Sequence, residues 1–433
     1  MIRHTLREWD YLPVGDEPGA ISRRHADDLM LVAQRSGLGG ADGETVLVNG
    51  HRRLRAQQVV GVLAGGGVTL EILPKIDGLN EGEVRRQLVH MLARVFDLKV
   101  SSGVLTELSW QQHDLLEVVV RLFCEQLFQA IHRGLPRRYV GHEDDLPMLR
   151  GRLDVQRQFT ILAARPQKLA SRFDDLSADT PLNQIMKAAV RRLRRVARSP
   201  DNQRWLAELA LAFADVTTVP VGMLPWRLVV IDRTNAAWAL LLALAKFLLG
   251  ERFQTTSGGD AVGFSLLFEM NTLFEEFVGR TLRRALSGTG LTVELQGPRG
   301  HVLIDEGGAR RFATKPDIVV RDGADVVLVI DTKWKRLKGA LDDPKHGVSQ
   351  ADVYQMMAYS RVYRCERVVL LYPHHQGLQK PSGVVAAHRV SGSDVRLSVR
   401  SVSLANLDGL GGQLSALVHD ELTATAPGQL IAQ

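Results

Sequence analysis

The spacing of apolar positions changes character along the chain. Up to about residue 90, short strand-like runs such as Glu44-Thr45-Val46-Leu47-Val48 and Val68-Thr69-Leu70-Glu71-Ile72-Leu73 alternate with glycine-rich turns. From Glu81 to about Leu249 the period becomes helical. Amphipathic stretches fall at Val84 to Leu98, Leu115 to His132, Leu182 to Ala197 and Ala236 to Leu249, with short strands expected at Leu149 to Val155 and Leu228 to Ile231. Thr255-Thr256-Ser257-Gly258-Gly259-Asp260 reads as a turn-rich break. Beyond it come a helix, a hairpin, a second helix and an apolar strand. The pattern predicts an α+β multidomain protein: a β-rich N-terminal module over 1–90, a mainly helical middle over 91–255, and a C-terminal α/β domain over 256–433.

The hairpin is the most informative element. Two runs rich in Val and Ile, Ile318-Val319-Val320 and Val326 to Ile330, flank Asp322-Gly323, a dipeptide typical of a tight antiparallel turn. A loop of two or three residues near Gly323 and Ala324 sets Asp317 opposite Ile330 or Asp331. Strand side chains alternate, so Asp331 and Lys333 point one way and Thr332 the other. Upstream, Met270, Phe274, Phe277, Val278 and Thr281 share one face of a helix; at about 100° per residue, Glu275 stands on the border of that face and Glu276 nearly opposite. Downstream, Gln350 to Tyr363 reads as a helix with Gln355 and Tyr359 stacked four apart, followed by Val368 to Pro373 as a buried strand closing the sheet.

Two carboxylates and an ammonium on one patch suit phosphodiester chemistry. Carboxylate oxygens are hard ligands for Mg²⁺ or Mn²⁺, and Mg²⁺ takes one or two of them beside water and substrate phosphate. A neighbouring lysine orients or helps deprotonate the attacking water. An isolated acid-x-Lys is more often a solvated surface pair of little energetic value. Here the context differs. Lys315-Pro316-Asp317 opening one strand and Asp331-Thr332-Lys333 closing the next resemble the PD-(D/E)xK nuclease superfamily, whose fold is restriction-endonuclease-like. Gln355 with Tyr359 is similar to the Gln-x-x-x-Tyr that RecB-like nucleases carry after that strand. The resemblance implies catalytic roles for Asp317, Asp331, Lys333, Glu275, Gln355 and Tyr359, with Asp317, Asp331 and Glu275 at the metal.

A wider resemblance runs from residue 60 to residue 373. It rests on Val60-Gly61-Val62-Leu63 with Glu71-Ile72-Leu73-Pro74-Lys75-Ile76, Leu149-Arg150-Gly151-Arg152-Leu153-Asp154-Val155, Asp179-Thr180-Pro181-Leu182-Asn183, the helix around Phe274-Glu275, Asp331-Thr332-Lys333-Trp334-Lys335, and Tyr354-Gln355-Met356-Met357-Ala358-Tyr359. In this order they resemble the McrC family, the nuclease subunits of McrBC-type modification-dependent (type IV) restriction systems, with Trp334 where that family usually has Tyr. The resemblance implies a Mg²⁺-dependent endodeoxyribonuclease in defence against foreign DNA. Its substrate would be double-stranded DNA carrying modified (methylated) bases, and its partner an McrB-like AAA+ GTPase ring that it stimulates. The alternative is chiefly a regulatory subunit, the residues before about 255 docking on the ring, with nuclease activity secondary.

Composition narrows this further. The length of 433 residues suggests about three domains, and the net charge of +6 with a pI near 9.4 permits a polyanionic partner. Cys124 and Cys365 stand far apart without metal-type spacing, which fits a reducing cytoplasm. No G-x-x-x-x-G-K-[ST] occurs, so any nucleotide-driven step falls to another protein. The greasy run Ala236 to Leu249 is too short to span a bilayer, and no membrane is expected. Arg191, Arg192, Arg194, Arg195 and Arg198 spread over several helical faces and read as solvated charge, the alternative being a contact with DNA or with an acidic ring surface. Lys335, Arg336 and Lys338 are better placed to touch phosphate, Trp334 among them being a core candidate. His374 and His375, adjacent on an extended segment, face opposite ways and suggest no metal site. The tail after Ala424 is expected to fray.

Overall fold

The computed structural model describes all residues except 1, 37, 39–43, 97–114, 234, 251–252, 259–260, 338–346 and 425–433, so Lys338 and the tail after Ala424 lie outside the described residues. The chain forms two compact units, one of Met1–Leu115 with Gln254–Gln433, the other of Leu116–Phe253.

In the first unit, one sheet has the strand order Ile2–Arg7, Val68–Leu73, Val59–Gly65, Ala261–Glu269, Phe253–Gly258. Ile2–Arg7 lies parallel to Val68–Leu73, and Ala261–Glu269 antiparallel to Val59–Gly65. Two of its inner strands, Val59–Gly65 and Val68–Leu73, are buried along their whole length, and Val59–Gly65 accordingly reads as an unbroken apolar run. Gly61 pairs with Leu267 at a φ of 134°, where a Cβ would come within 1.9 Å of the Leu266 carbonyl oxygen. Only glycine permits so close an approach. The helix Arg23–Gln34, capped by the Ser22 hydroxyl, packs Leu29 and Val32 onto this sheet. Thr255 to Ser257, expected as a turn, belong to the strand Phe253–Gly258, because pairing with a neighbouring strand overrides their turn-like composition. The strand expected over Glu44 to Val48 falls later, at Leu47–Asn49.

The second sheet of this unit carries the hairpin. Its order is Leu291–Leu295, Ile318–Asp322, Asp325–Thr332, Arg367–Pro373, Arg396–Val402, Gly383–Arg389, with the three strands from Asp325–Thr332 to Arg396–Val402 parallel and the outer pairs antiparallel. Arg367–Pro373 is therefore central and does not close the sheet. Its neighbour Arg396–Val402 escapes notice in the sequence because buried Ser398 and Arg400 break the apolar run. Both are satisfied by Glu421 of helix Leu410–Thr423, through a 3.0 Å bond from Ser398 and a 2.7 Å bond from Arg400 Nε. Helix Met270–Ala285 buries Met270, Phe274, Phe277, Val278 and Thr281, the face its period foretold. Helix Gln350–Tyr363, capped by Ser349, packs Met356 and Tyr359 with Val329, Val368, Leu370 and Val399.

The second unit holds the expected helices as Leu115–His132, Pro181–Val196 and Ala239–Leu249, with Pro200–Ala212 besides. Strands accompany these helices. A sheet of Arg138–Leu146, Leu169–Ser177 and Arg152–Leu153 is inserted among them. Arg-Tyr-Val-Gly-His-Glu-Asp-Asp-Leu has no buried residue, so no period of two marks it. Val155–Thr160 is a short helix, and Trp226–Leu228 a 3₁₀ turn with no strand from Leu228 to Ile231. The fold is mixed α/β, as expected. No described helix is long and apolar enough to cross a membrane.

Candidate functional site

The hairpin turns through Gly323 and Ala324, with Gly323 at a φ of 57° and Asp322 paired with Asp325. Ile318 pairs with Ile330, so the next position sets Asp317 across from Asp331 at the open end. A register shift after Val320 absorbs the odd spacing. Asp317 Oδ2 accepts the Thr332 N–H at 2.7 Å and its hydroxyl at 2.8 Å. The expectation that Thr332 points away from the acids is thus corrected: at the last residue of the strand the hydroxyl reaches Asp317. Asp331 is 1% exposed.

Lys333 joins this pair to the helix Gln350–Tyr363. Its Nζ lies 2.7 Å from Asp331 Oδ2 and donates at 3.1 Å to Gln355 Oε1. Gln355 Nε2 donates to the Tyr359 hydroxyl at 2.6 Å, which donates onward to the Lys315 carbonyl at 3.1 Å, two residues before Asp317 in the chain. The i, i+4 spacing read from the sequence is what aligns Gln355 and Tyr359. Tyr359 is both packed in the core and part of this relay.

The electrostatics are those of acids crowded out of water. Burial raises the Asp317 carboxyl above its ordinary value despite the Thr332 bonds and the Lys333 charge. Burial and then the Asp317 charge raise Asp331. For Lys333, burial disfavours the ammonium, but Asp331, Asp352 and Asp317 outweigh it and hold the group above its ordinary value. Glu275, half-buried on helix Met270–Ala285, is pushed up to about 7 by burial and then by Asp317, Glu276 and Asp331. It therefore feels both hairpin acids, whereas Glu276 pairs with Arg280 at 2.9 Å.

These acids suit a hard divalent cation. Among the described residues no three acidic, histidine or cysteine side chains form a ready ligand cluster. Mg²⁺ needs only one or two protein carboxylates, which Asp317 and Asp331 supply, and their mutual repulsion is what such an ion relieves.

Three contributors are not legible in the sequence. Asp352 stands 3.9 Å from Lys333 Nζ and pairs with Lys335; its position in the first turn of a helix gives no hint. Thr332 turns toward the acids where strict alternation sends it away. Glu8, more than 300 residues earlier, accepts the Trp334 indole N–H at 2.7 Å and the Lys75 N–H at 2.9 Å. Trp334 itself is core, 5% exposed and 5.3 Å from the Phe274 ring. His374 and His375 bind separate partners, Ser401 and the Leu337 carbonyl, in keeping with their opposed directions.

Fold and site together describe a mixed α/β protein with a paired-acid and lysine hairpin between helices. A family profile described as McrBC 5-methylcytosine restriction system component matches residues 54–373. The chain belongs to that family, and the resemblance to McrC is borne out. Among solved structures, it resembles a chain in the refined half-complex from the tetradecameric assembly of Thermococcus gammatolerans McrB AAA+ hexamers with bound McrC, at 22% identity and a TM-score of 0.75, over 96% of this chain and 99% of that one. A chain of the T. gammatolerans McrBC complex matches at 27% identity and a TM-score of 0.55, over 66% of this chain and 88% of the other. No curated protein matches.

Proposed function

We propose that this chain is the nuclease component of an McrBC-like system, a Mg²⁺- or Mn²⁺-dependent endodeoxyribonuclease of the PD-(D/E)xK type acting on DNA with modified bases. The observation that carries this reading is the meeting of Asp317 and Asp331 at one end of the hairpin with the Lys333 ammonium 2.7 Å from Asp331. Asp317 and Asp331 would hold the ion, which when bound polarises the phosphate and acidifies water. Lys333, between Asp331 and Gln355, would position or activate the nucleophilic water and offset charge gathering on phosphorus. Gln355 and Tyr359 fix the direction of Lys333. Glu275 takes a proton near neutral pH and assists through the metal or its water.

The fold-level likeness to a chain from an assembly of McrB hexamers with bound McrC favours a second role. The chain would dock on an AAA+ GTPase ring in the cytoplasm and stimulate it, through the residues before about 255. The two roles separate in one experiment. In the reconstituted assembly, Asp331→Ala and Lys333→Ala should abolish cleavage of methylated duplex and leave stimulation of GTP hydrolysis intact. Cleavage persisting in both variants would sink the site.

A further inference from the structure

A cleft of about 540 Å³ opens beside Lys333 within the first compact unit, a size in the range of small-ligand sites, about 300–1,000 Å³. One wall is Glu8, Trp9 and Lys75; the other is the chain from Lys333 to Arg336. Two features of this cleft have no part in the metal chemistry at the hairpin.

The first is Trp9. It is 41% exposed and has a φ of 66°, a left-handed conformation that a bulky residue adopts only when its surroundings impose it. Its N–H donates to the Ala56 carbonyl at 3.1 Å, Arg55 Nε donates to the Trp9 carbonyl at 3.3 Å, and the Arg55 guanidinium lies 5.5 Å from the ring centroid. Trp9 thus lines the cleft as an exposed residue, whereas Trp334 is packed into its wall.

The second is the pattern of polar groups. Lys75 and Arg336 are paired with Asp10 and Asp77, and their side chains are 34% and 44% exposed. Pairs so exposed are weak and exchange readily for a phosphate. In the wall, Glu8 is 1% exposed, and its Oε2 has no hydrogen-bond partner among the described residues. Its Oε1 accepts the Lys75 and Trp334 N–H groups, which ties the two walls of the cleft together.

We propose that the cleft is a nucleotide subsite: it receives the base of the nucleotide adjoining the bond cut at Lys333, stacked on Trp9, with that nucleotide's phosphate on Lys75 and Arg336. The proposal rests on the nuclease reading for the position of the cut. A base paired within a duplex cannot stack on a protein ring, so the nucleotide in the cleft has left the helix, as in a single strand or by extrusion.

The test uses the full chain and a short single-stranded oligodeoxynucleotide containing 2-aminopurine, in chelator so that nothing is cut. The parent should bind and quench the emission. Trp9→Ala should weaken binding about tenfold and remove the quench, and Trp9→Phe should restore most of both. Lys75→Gln should keep the quench and lower the slope of log affinity against log salt by about 0.7. Failure of the parent to bind, or Trp9→Ala binding and quenching as the parent does, would overturn the subsite; an unchanged salt slope in Lys75→Gln would overturn the phosphate contact. Cleavage of duplex by the assembly separates this from the reading beneath it. If Asp331→Ala still cuts while Trp9→Ala loses the quench, the catalytic assignment fails and the subsite stands. If Asp331→Ala is inactive while Trp9→Ala binds, quenches and cuts as the parent does, the reverse holds.

Discussion

Gln355 Oε1 accepts a hydrogen bond from Lys333 Nζ at 3.1 Å, tying the cation of the hairpin to a helix that begins 17 residues after it. Because the same amide donates to Tyr359, its orientation is fixed: the oxygen faces the lysine and the nitrogen faces the hydroxyl. Gln355→Ala and Tyr359→Phe should lower the cleavage rate constant of the assembly roughly 10- to 100-fold, as loss of supporting hydrogen bonds around a metal site does. DNA affinity should change little. Single-turnover kinetics at saturating DNA measure the rate, and a variant that lost affinity alone would contradict the positioning role.

Thr332 gives Asp317 two hydrogen bonds, and Thr332→Val keeps only the one from the backbone. With one fewer donor to its charged form, Asp317 should protonate more readily and hold metal less well. The expected result is a Mg²⁺ requirement raised about tenfold with little change in the cleavage rate at saturating metal. Titration of activity against Mg²⁺ checks it.

Glu275 supplies the pH dependence. Its folded value, raised from 4.5 to about 7, lies above the unfolded one, so the fold favours the protonated acid. Its contribution to stability is fully present below about pH 4.5 and is lost as the pH climbs through 7. In chelator, Glu275→Gln should therefore be more stable than the parent at pH 8. The group is only partly buried, and solvent screening reduces the gain to on the order of 1 kcal/mol. The difference should vanish below pH 4.5. Denaturant midpoints across that range measure it, and an advantage growing toward low pH would refute the sign.

Trp334→Phe removes the indole donor to Glu8 while keeping an aromatic ring against Phe274. Glu8 is already pushed up to about 7 by burial and then keeps only the Lys75 N–H. The expected loss is roughly 1–3 kcal/mol of stability for a buried acid deprived of a partner. Trp334→Phe combined with Glu8→Ala should recover part of it, as a double-mutant cycle of thermal unfolding would reveal.

Much of the C-terminal half is legible in the amino-acid sequence. Asp322-Gly323 with β-branched flanks specifies the hairpin, a period of two aligns Asp331 with Lys333, and a spacing of four aligns Gln355 with Tyr359. In the sheet of the second unit only Arg152–Leu153 falls where a strand is expected; Arg138–Leu146, with no buried residue, carries no alternation. Nor is Arg396–Val402 legible, since its buried Arg400 is intelligible only beside Glu421.

The division follows the range of the forces involved. Turn chemistry, periodicity and capping act over a few residues, so the chain alone settles which segments become the hairpin and its two helices, and which side chains share a face. Sheet order, the Gly61 contact with Leu266, and the bond from Trp334 to Glu8 join residues hundreds of positions apart. Those depend on which surfaces bury one another, and no local pattern encodes that. The acids of the hairpin are written in the sequence; the N-terminal wall beside Lys333, Trp9 included, is decided only by tertiary packing.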